Sequence, residues 1–252
     1  MTILVSGLNG TLAPRLARCL ASQGHHVIGW DRAEHPPEDP TAWRDWLRQL
    51  KPSAVYHLAN GSPDWAGELA LECARAGRPF VYTSSVSVFS IHQQGPFTVD
   101  RVPAPEDEYG RYKLECEMRV RENHPGACIV RLGWQIGEDL TGNQMQAQLE
   151  AQQQREGRIR ASTRWQPACS FLDDSAACLA GLAGRSGLYH LDGNPGLSCH
   201  AIVRALALRF ARDWRVEASE EFVWTSRLLD ERLQPVSIEE RLTAPPATQG
   251  SH

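Results

Sequence analysis

Along the first half of the chain, short apolar runs alternate with longer segments of helical period. Residues 3–5, 26–30, 54–58, 80–83 and 128–132 are short, largely apolar runs, and each reads as a strand. Between them, residues 11–23, 41–50, 65–76 and 109–121 repeat their apolar positions three and four apart, the signature of a half-buried helix. Strands and helices in this alternation call for an α/β fold: a doubly wound parallel sheet of the Rossmann type with right-handed crossovers.

Past Trp134 the pattern changes. Residues 144–156 are glutamine-rich and read as a solvated helix with no chemistry implied. Residues 187–191 form one more apolar run, a strand, and 200–212 a helix. The chain therefore divides into a sheet domain over 1–133, with a return segment near 166–191, and a small C-terminal lobe over 134–165 and 192–242. The Pro/Ala/Gly-rich stretch 243–252 reads as a disordered tail.

Composition narrows the function classes. Apolar residues make up 42% of the 252, enough for a sizeable core. A net charge of −4 argues against nucleic acid as a partner. No run approaches the length needed to cross a bilayer, and MTILVSGLNG reads as a first strand, not a signal peptide. The seven cysteines are dispersed, without a C-x-x-C, which suits free thiols in a reducing cytoplasm. No H-x-x-x-H spacing occurs among the histidines, and no metal site is expected.

The stretch SGLNGTLA, residues 6–13, follows the first strand and opens a helix. In its spacing Gly7 permits a tight turn, Gly10 lets the backbone approach a pyrophosphate, and Ala13 lets the helix pack closely. Asn9, Thr11 and Leu12 complete the turn, whose free N–H groups favour anionic groups at the helix start. Asp31 falls about twenty residues on, at the end of the second strand, where a carboxylate accepts from adenosine ribose hydroxyls. That favours NAD(H). Arg32 next to it leaves NADP(H) as the alternative, because a guanidinium holds a 2′-phosphate.

The 26 basic residues include only two lysines, Lys51 and Lys113. Lys113 stands one helical turn after Tyr109, so the two side chains share a face. An ammonium there lowers the phenol pKa and donates to a ribose, and a tuned tyrosine passes a proton to or from a substrate oxygen. The choice of lysine in an arginine-rich chain points to a role that needs a compact, tunable charge.

Taken together, SGLNGTLA, VIGWDR, KPSAVYHLA, VYTSSVSVF, EYGRYKLECE, IVRLGW, FLDDSA and GLYHLDG resemble the extended short-chain dehydrogenase/reductases, most closely their dTDP-4-dehydrorhamnose reductase branch. The resemblance implies a catalytic Ser85, Tyr109, Lys113 set, with Leu58 and Ala59 lining the cofactor. It implies that the C-terminal lobe binds substrate, a nucleotide sugar, with Trp134 and Ser87 near it and Asn143 at its diphosphate. Arg164 is assigned to the same diphosphate from its charge. Three departures are visible. Val86-Ser87 replaces the acidic pair of the dehydratases, Ser85-Val86 replaces the Thr-Asp of the rhamnose branch, and residues 60–78 are short where relatives carry much of a dimer helix. A monomer and a homodimer both fit. Three readings stand side by side: a reductase of a nucleotide-linked 4-keto sugar, an epimerase using the same site, and a non-catalytic NAD(P)-binding regulatory protein.

Overall fold

The protein is described from a computed structural model, in which residues 1–243 are placed. Six parallel strands form the central sheet: β1 (Thr2–Ser6), β2 (His26–Gly29), β3 (Ala54–His57), β4 (Phe80–Ser85), β5 (Cys128–Leu132) and β6 (Gly187–Leu191). Their order across the sheet is β6-β5-β4-β3-β1-β2. Because side chains alternate along a strand, each strand feeds two cores. Ile3 and Val5 of β1, Ala54 and Tyr56 of β3 and Val81 of β4 point to one face. There they meet α1 (Ala13–Ser22) and α6 (Leu172–Ala180). Leu4, Val55, Phe80 and Tyr82 point to the other, against α2 (Pro40–Leu50), α3 (Pro63–Arg75) and α4 (Glu108–Asn123). Burial on both faces is why these strands read as continuous apolar runs.

The helix starts are written in the sequence. Asp39 caps α2 by accepting from the Ala42 amide, Ser62 caps α3 through Trp65, and Asp107 caps α4 through Gly110. Each such cap stabilises its helix by about 1 kcal/mol. Pro40 and Pro63 follow two of these caps, where a missing N–H costs nothing. α1 differs: Leu12 precedes it and gives no side-chain cap.

A third apolar cluster lies beyond the sheet. Ile136, Met145, Leu149, Phe171, Ile202, Leu206 and Trp214 bring together α5 (Met145–Glu156), α7 (Cys199–Arg209) and α8 (Ile238–Thr243). Short parallel pairs tie this part together, among them Trp134–Ile136 with Cys169–Phe171 and Phe97–Thr98 with Leu228–Leu229.

The structure corrects the reading of residues 144–156. That helix is not simply solvated: Gln144 and Gln146 are fully buried and Met145 and Leu149 pack into the third cluster. Met145 and Leu149 sit four apart, a spacing the surrounding glutamines mask. α6, α8 and the two- and three-residue strands were not read from the sequence; they are too short for a period to show. The tail expectation falls on 244–252, outside the described residues. All seven cysteines are free thiols, and no helix among the described residues is long and apolar enough to cross a membrane.

Candidate active site

The strand order reverses between β1 and β3, and the carboxyl ends of these neighbours bound the crevice where open α/β sheets take ligands. Ser6, the last residue of β1, knots the two ends together. Its hydroxyl accepts from the Leu58 amide at 3.1 Å and the Ala59 amide at 3.2 Å. That leaves its own proton for His57 Nδ1 at 2.8 Å. Burial, with Lys113 and Arg32 adding to it, pushes the His57 pKa down to about 3, so this ring is a neutral acceptor. Gly7 then turns with φ +89°, and a Cβ there would stand 2.9 Å from the Ala59 amide nitrogen. Only glycine lets the two chain segments come this close. The Gly10 amide closes the turn on the Gly7 carbonyl at 2.8 Å, and α1 follows with its start uncapped by any side chain. A glycine turn opening onto an uncapped helix start is an arrangement that can hold a pyrophosphate.

On one side of the turn lies a cavity of about 720 Å³ that Asn9, Asp31, Arg32 and Ala59 help to line. One Asp31 oxygen accepts from the Ala33 amide at 2.8 Å. Arg32, though exposed, donates to the Asn60 carbonyl and lies over the Trp65 ring, 5.0 Å from its guanidinium. On the other side, a cleft of about 570 Å³ runs from Gly7, Thr11, Leu12 and Leu58 to Ser85, Tyr109, Lys113 and Trp134. The cavity and the cleft share Gly7, Gly10, Leu58 and Asn60, so they form one groove.

At the far end of that groove the three expected catalytic side chains converge. Ser85 ends β4 and caps a single 3₁₀ turn, accepting from the Ser87 amide at 3.1 Å and donating to the Ser87 hydroxyl at 3.1 Å. Tyr109 lies in the first turn of α4 and lines the same cleft as Ser85. Burial raises the Tyr109 pKa, Ser85 pulls it back and Asp107 adds to the rise. The expected lowering of this phenol by Lys113 is therefore not found. Lys113 Nζ is 5.8 Å from the Tyr109 ring centroid and donates to the Thr83 carbonyl at 3.1 Å and the Tyr82 hydroxyl at 3.4 Å. Lys113 itself is the tuned group: it is 3% exposed, and burial pushes its pKa down to about 8 against the opposing pull of Cys116 and Glu117. A guanidinium never titrates in this range, which accounts for the lysine.

Val86, Ser87 and Trp134 belong both to this cleft and to a second one of about 460 Å³. Trp134, Trp165 and Trp224 wall the second cleft, with Trp134 stacked on Trp165 at 5.9 Å, and Glu106 and Asp107 at its edge. Asn143 lines the first cleft as well. It lies at the pyrophosphate turn, its amide donating to Thr11 Oγ1 at 3.1 Å and its Oδ1 accepting from Gln148 at 2.6 Å. Arg164 is exposed and is not among the described residues lining either cleft.

Behind Ser85, Tyr109 and Lys113 sits a network that sequence reasoning missed. Arg131 of β5 makes a two-point ion pair with Glu117 of α4, at 2.8 and 2.7 Å, with both side chains 2% exposed. Ser84 donates to the same carboxylate, Arg131 Nη1 lies 3.4 Å from His190 Nε2, and His190 Nδ1 donates to the Phe97 carbonyl at 3.0 Å. The network sets α4 against the end of β4, and so Tyr109 against Ser85. A signal was present: an arginine in the middle of the apolar run CIVRL is rarely buried without a partner.

Residues 64–248 match the model of a family described as the RmlD substrate binding domain. A probable low-salt glycan biosynthesis reductase, Agl14, of Haloferax volcanii is 30% identical over 173 residues, 56% of this chain and 58% of that protein. This chain thus spans less than two thirds of that relative. Methionine adenosyltransferase 2 subunit beta of Xenopus tropicalis is 25% identical over 239 residues, 82% of this chain and 71% of that protein. The crystal structure of a dTDP-4-dehydrorhamnose reductase from Bacillus anthracis in complex with NADP superposes with a TM-score of 0.81, at 19% identity over 96% of both chains. That likeness is one of fold.

Proposed function

The chain belongs to the RmlD substrate binding domain family, and on that premise we propose that it is a nicotinamide-dependent reductase of the C4 carbonyl of a nucleotide-linked deoxy sugar. One observation carries the reading. A single groove leads from Asp31 and Arg32 past Gly7 to Ser85, Tyr109 and Lys113, and opens through Val86, Ser87 and Trp134 into an aromatic cleft. The residues present fit a dinucleotide, because the glycine turn opens directly onto the start of α1, where no side chain caps the helix.

Asp31 receives the adenosine ribose hydroxyls and favours NAD(H); Arg32 is placed to hold a 2′-phosphate if NADP(H) binds. The Bacillus anthracis reductase was crystallised with NADP. Gly7, Asn9, Gly10, Thr11 and Leu12 take the pyrophosphate, and Leu58 and Ala59 line the groove. The bound nicotinamide supplies the hydride. Ser85 orients the carbonyl by donating to its oxygen, which requires its hydroxyl to turn away from Ser87. Tyr109, whose pKa is raised in the free protein, is protonated at neutral pH, the state an acid needs. It passes its proton to the sugar oxygen, while Lys113, in the same cleft, is placed to donate to the cofactor ribose. The substrate lobe, residues 134–165 and 192–242, holds the rest of the sugar nucleotide against Trp134. Val86 stands where a dehydratase needs an acid, so elimination is not served.

The test is oxidation of NADH or NADPH in the presence of a dTDP-4-keto-6-deoxy sugar, with Tyr109→Phe alongside. The reading requires stoichiometric cofactor oxidation that collapses in the variant. Product without net cofactor use makes the protein an epimerase.

A second reading draws on the likeness to methionine adenosyltransferase 2 subunit beta, which spans most of the chain. Under it the protein is a non-catalytic NAD(P)-binding partner of another enzyme. Absence of turnover together with a stable, copurifying enzyme partner decides for it.

A further inference from the structure

Three of the chain's five tyrosines stand round one ammonium. Lys113 Nζ lies 5.1 Å from the ring centroid of Tyr82, 5.8 Å from that of Tyr109 and 5.5 Å from that of Tyr112. All three distances are within the range at which an aromatic face attracts a cation. Tyr82 is fully buried in β4 and its hydroxyl accepts from Nζ, while Tyr109 lines the cleft. Tyr112, the residue just before the lysine, does neither. It lines neither the cleft nor the cavity of the groove, and it is half-buried.

Its ring is fixed from outside α4. The Tyr112 hydroxyl accepts from the Gly61 amide at 3.0 Å, in the segment that follows β3. The neighbouring Asn60 gives its carbonyl to Arg32 and lines both halves of the groove. Tyr112 therefore stands between that segment and the lysine. An ammonium has three protons. The Thr83 carbonyl and the Tyr82 hydroxyl take two of them. Lys113 is 3% exposed yet lines the cleft, so the third proton is left for what binds there.

We propose that Tyr112 is a positioning residue whose ring keeps water from Lys113 Nζ and leaves the ammonium one free direction, into the groove. What the ammonium does there rests on the reductase reading; the enclosure does not. Tyr112 touches no ligand and moves no proton. The titratable groups facing Nζ are Tyr82 of β4, His57 of β3 and, on α4, Tyr109, Tyr112, Cys116 and Glu117. Burial is the largest influence on Lys113 and outweighs the opposing pull of Cys116 and Glu117. Removing the Tyr112 ring takes away burial together with the weaker attraction of its face, so the lysine is expected to hold its proton to higher pH.

The chain's two lysines make this directly measurable. Protein carrying lysine isotopically labelled at Cε gives one NMR signal for Lys113 and one for the exposed Lys51, and Lys51→Arg assigns them. In wild type the Lys113 midpoint is expected at about 8. In Tyr112→Ser it is expected to rise by about one pH unit or more, and in Tyr112→Phe, which keeps the ring, to stay in place. Tyr112→Leu keeps most of the apolar packing but falls short of the outer ring, and its midpoint is expected to move the same way by less; it decides the matter if the serine variant does not fold. NADH titrations at pH 7 and pH 9 read the consequence. A midpoint near 8 loses about tenfold of the ammonium over this interval and one near 9 about twofold, so wild-type affinity is expected to fall more steeply than that of Tyr112→Ser, by up to about fivefold. A Lys113 midpoint unmoved in the serine and leucine variants, or moved as far by Tyr112→Phe, overturns the proposal and leaves the reductase reading standing. Wild-type protein that binds neither NADH nor NADPH overturns that reading, and the lysine signal still decides for or against the enclosure.

Discussion

Replacing Glu117 with alanine isolates the buried network that holds α4, the helix carrying Tyr109 and Lys113. In the native protein the carboxylate takes two hydrogen bonds from Arg131 and a third from Ser84, with both charged side chains 2% exposed. Alanine removes all three and leaves a guanidinium in the core with only the His190 ring at 3.4 Å and the Phe89 face at 5.1 Å. An uncompensated buried charge of this kind costs about 3–5 kcal/mol. For a chain of this size, each kcal/mol moves the melting temperature by about 2–4 °C, so the expected fall is about 6–20 °C. Thermal denaturation followed by near-ultraviolet circular dichroism measures it. Glu117→Leu combined with Arg131→Met, which removes both charges and fills the space, is expected to recover most of the loss. A fall under about 2 °C in Glu117→Ala, or a double variant no better than the single, refutes the claim that this pair anchors α4 on β5.

Four further outcomes follow from the same structure. Tyr109→Phe keeps the ring and removes the acid, and turnover is expected to fall by about 10²–10⁴ with NADH affinity unchanged, as read from steady-state rates beside a binding titration. Gly7→Ala puts a Cβ 2.9 Å from the Ala59 amide at φ +89°, and dinucleotide affinity is expected to be lost in the same titration. Because the Lys113 pKa is pushed down to about 8, its ammonium is lost as pH rises through that value. Turnover that depends on the charged form is expected to decline there, and a flat rate between pH 7 and 9 contradicts the role. His57 and His190 have pKa values pushed down to about 3 and about 4 by burial, against about 6.5 when unfolded. A depressed value contributes stability that is complete above the unfolded pKa and lost as pH falls towards the folded one. Asp192, pushed up to about 6 by burial, works in the opposite sense. With two histidines against one aspartate, the urea midpoint is expected to drop between pH 7 and 5, and a rising midpoint over that interval contradicts the assignment of neutral rings.

How much of this was legible beforehand depended on the physics behind each feature. The six strands are buried on both faces, so their apolar runs stood out, and the Tyr109–Lys113 spacing needed only the helical period to put both side chains together. The Gly7 turn was legible because a close backbone approach leaves no other residue type possible there. The tuning of the site was not. That Lys113, and not Tyr109, is the group shifted downward depends on burial under Tyr82 and Thr83, which spacing does not reveal. What holds Asn143 at the cleft was not legible either, because the Gly142 turn folds back on Thr11, a contact between residues more than a hundred apart. The pairings of two-residue strands such as Trp165–Gln166 with Trp224–Thr225 are likewise products of tertiary packing, too short to carry a period of their own.

The central claim is that the groove over Gly7 is a working nicotinamide dinucleotide site. Titration of the wild-type protein with NADH and with NADPH, followed by nicotinamide fluorescence and repeated on Asp31→Ala, tests it most directly. The account predicts saturable binding of at least one form, with NADH weakened by Asp31→Ala. If neither form binds, the glycine turn is a structural feature alone, and the reductase and epimerase readings fall together.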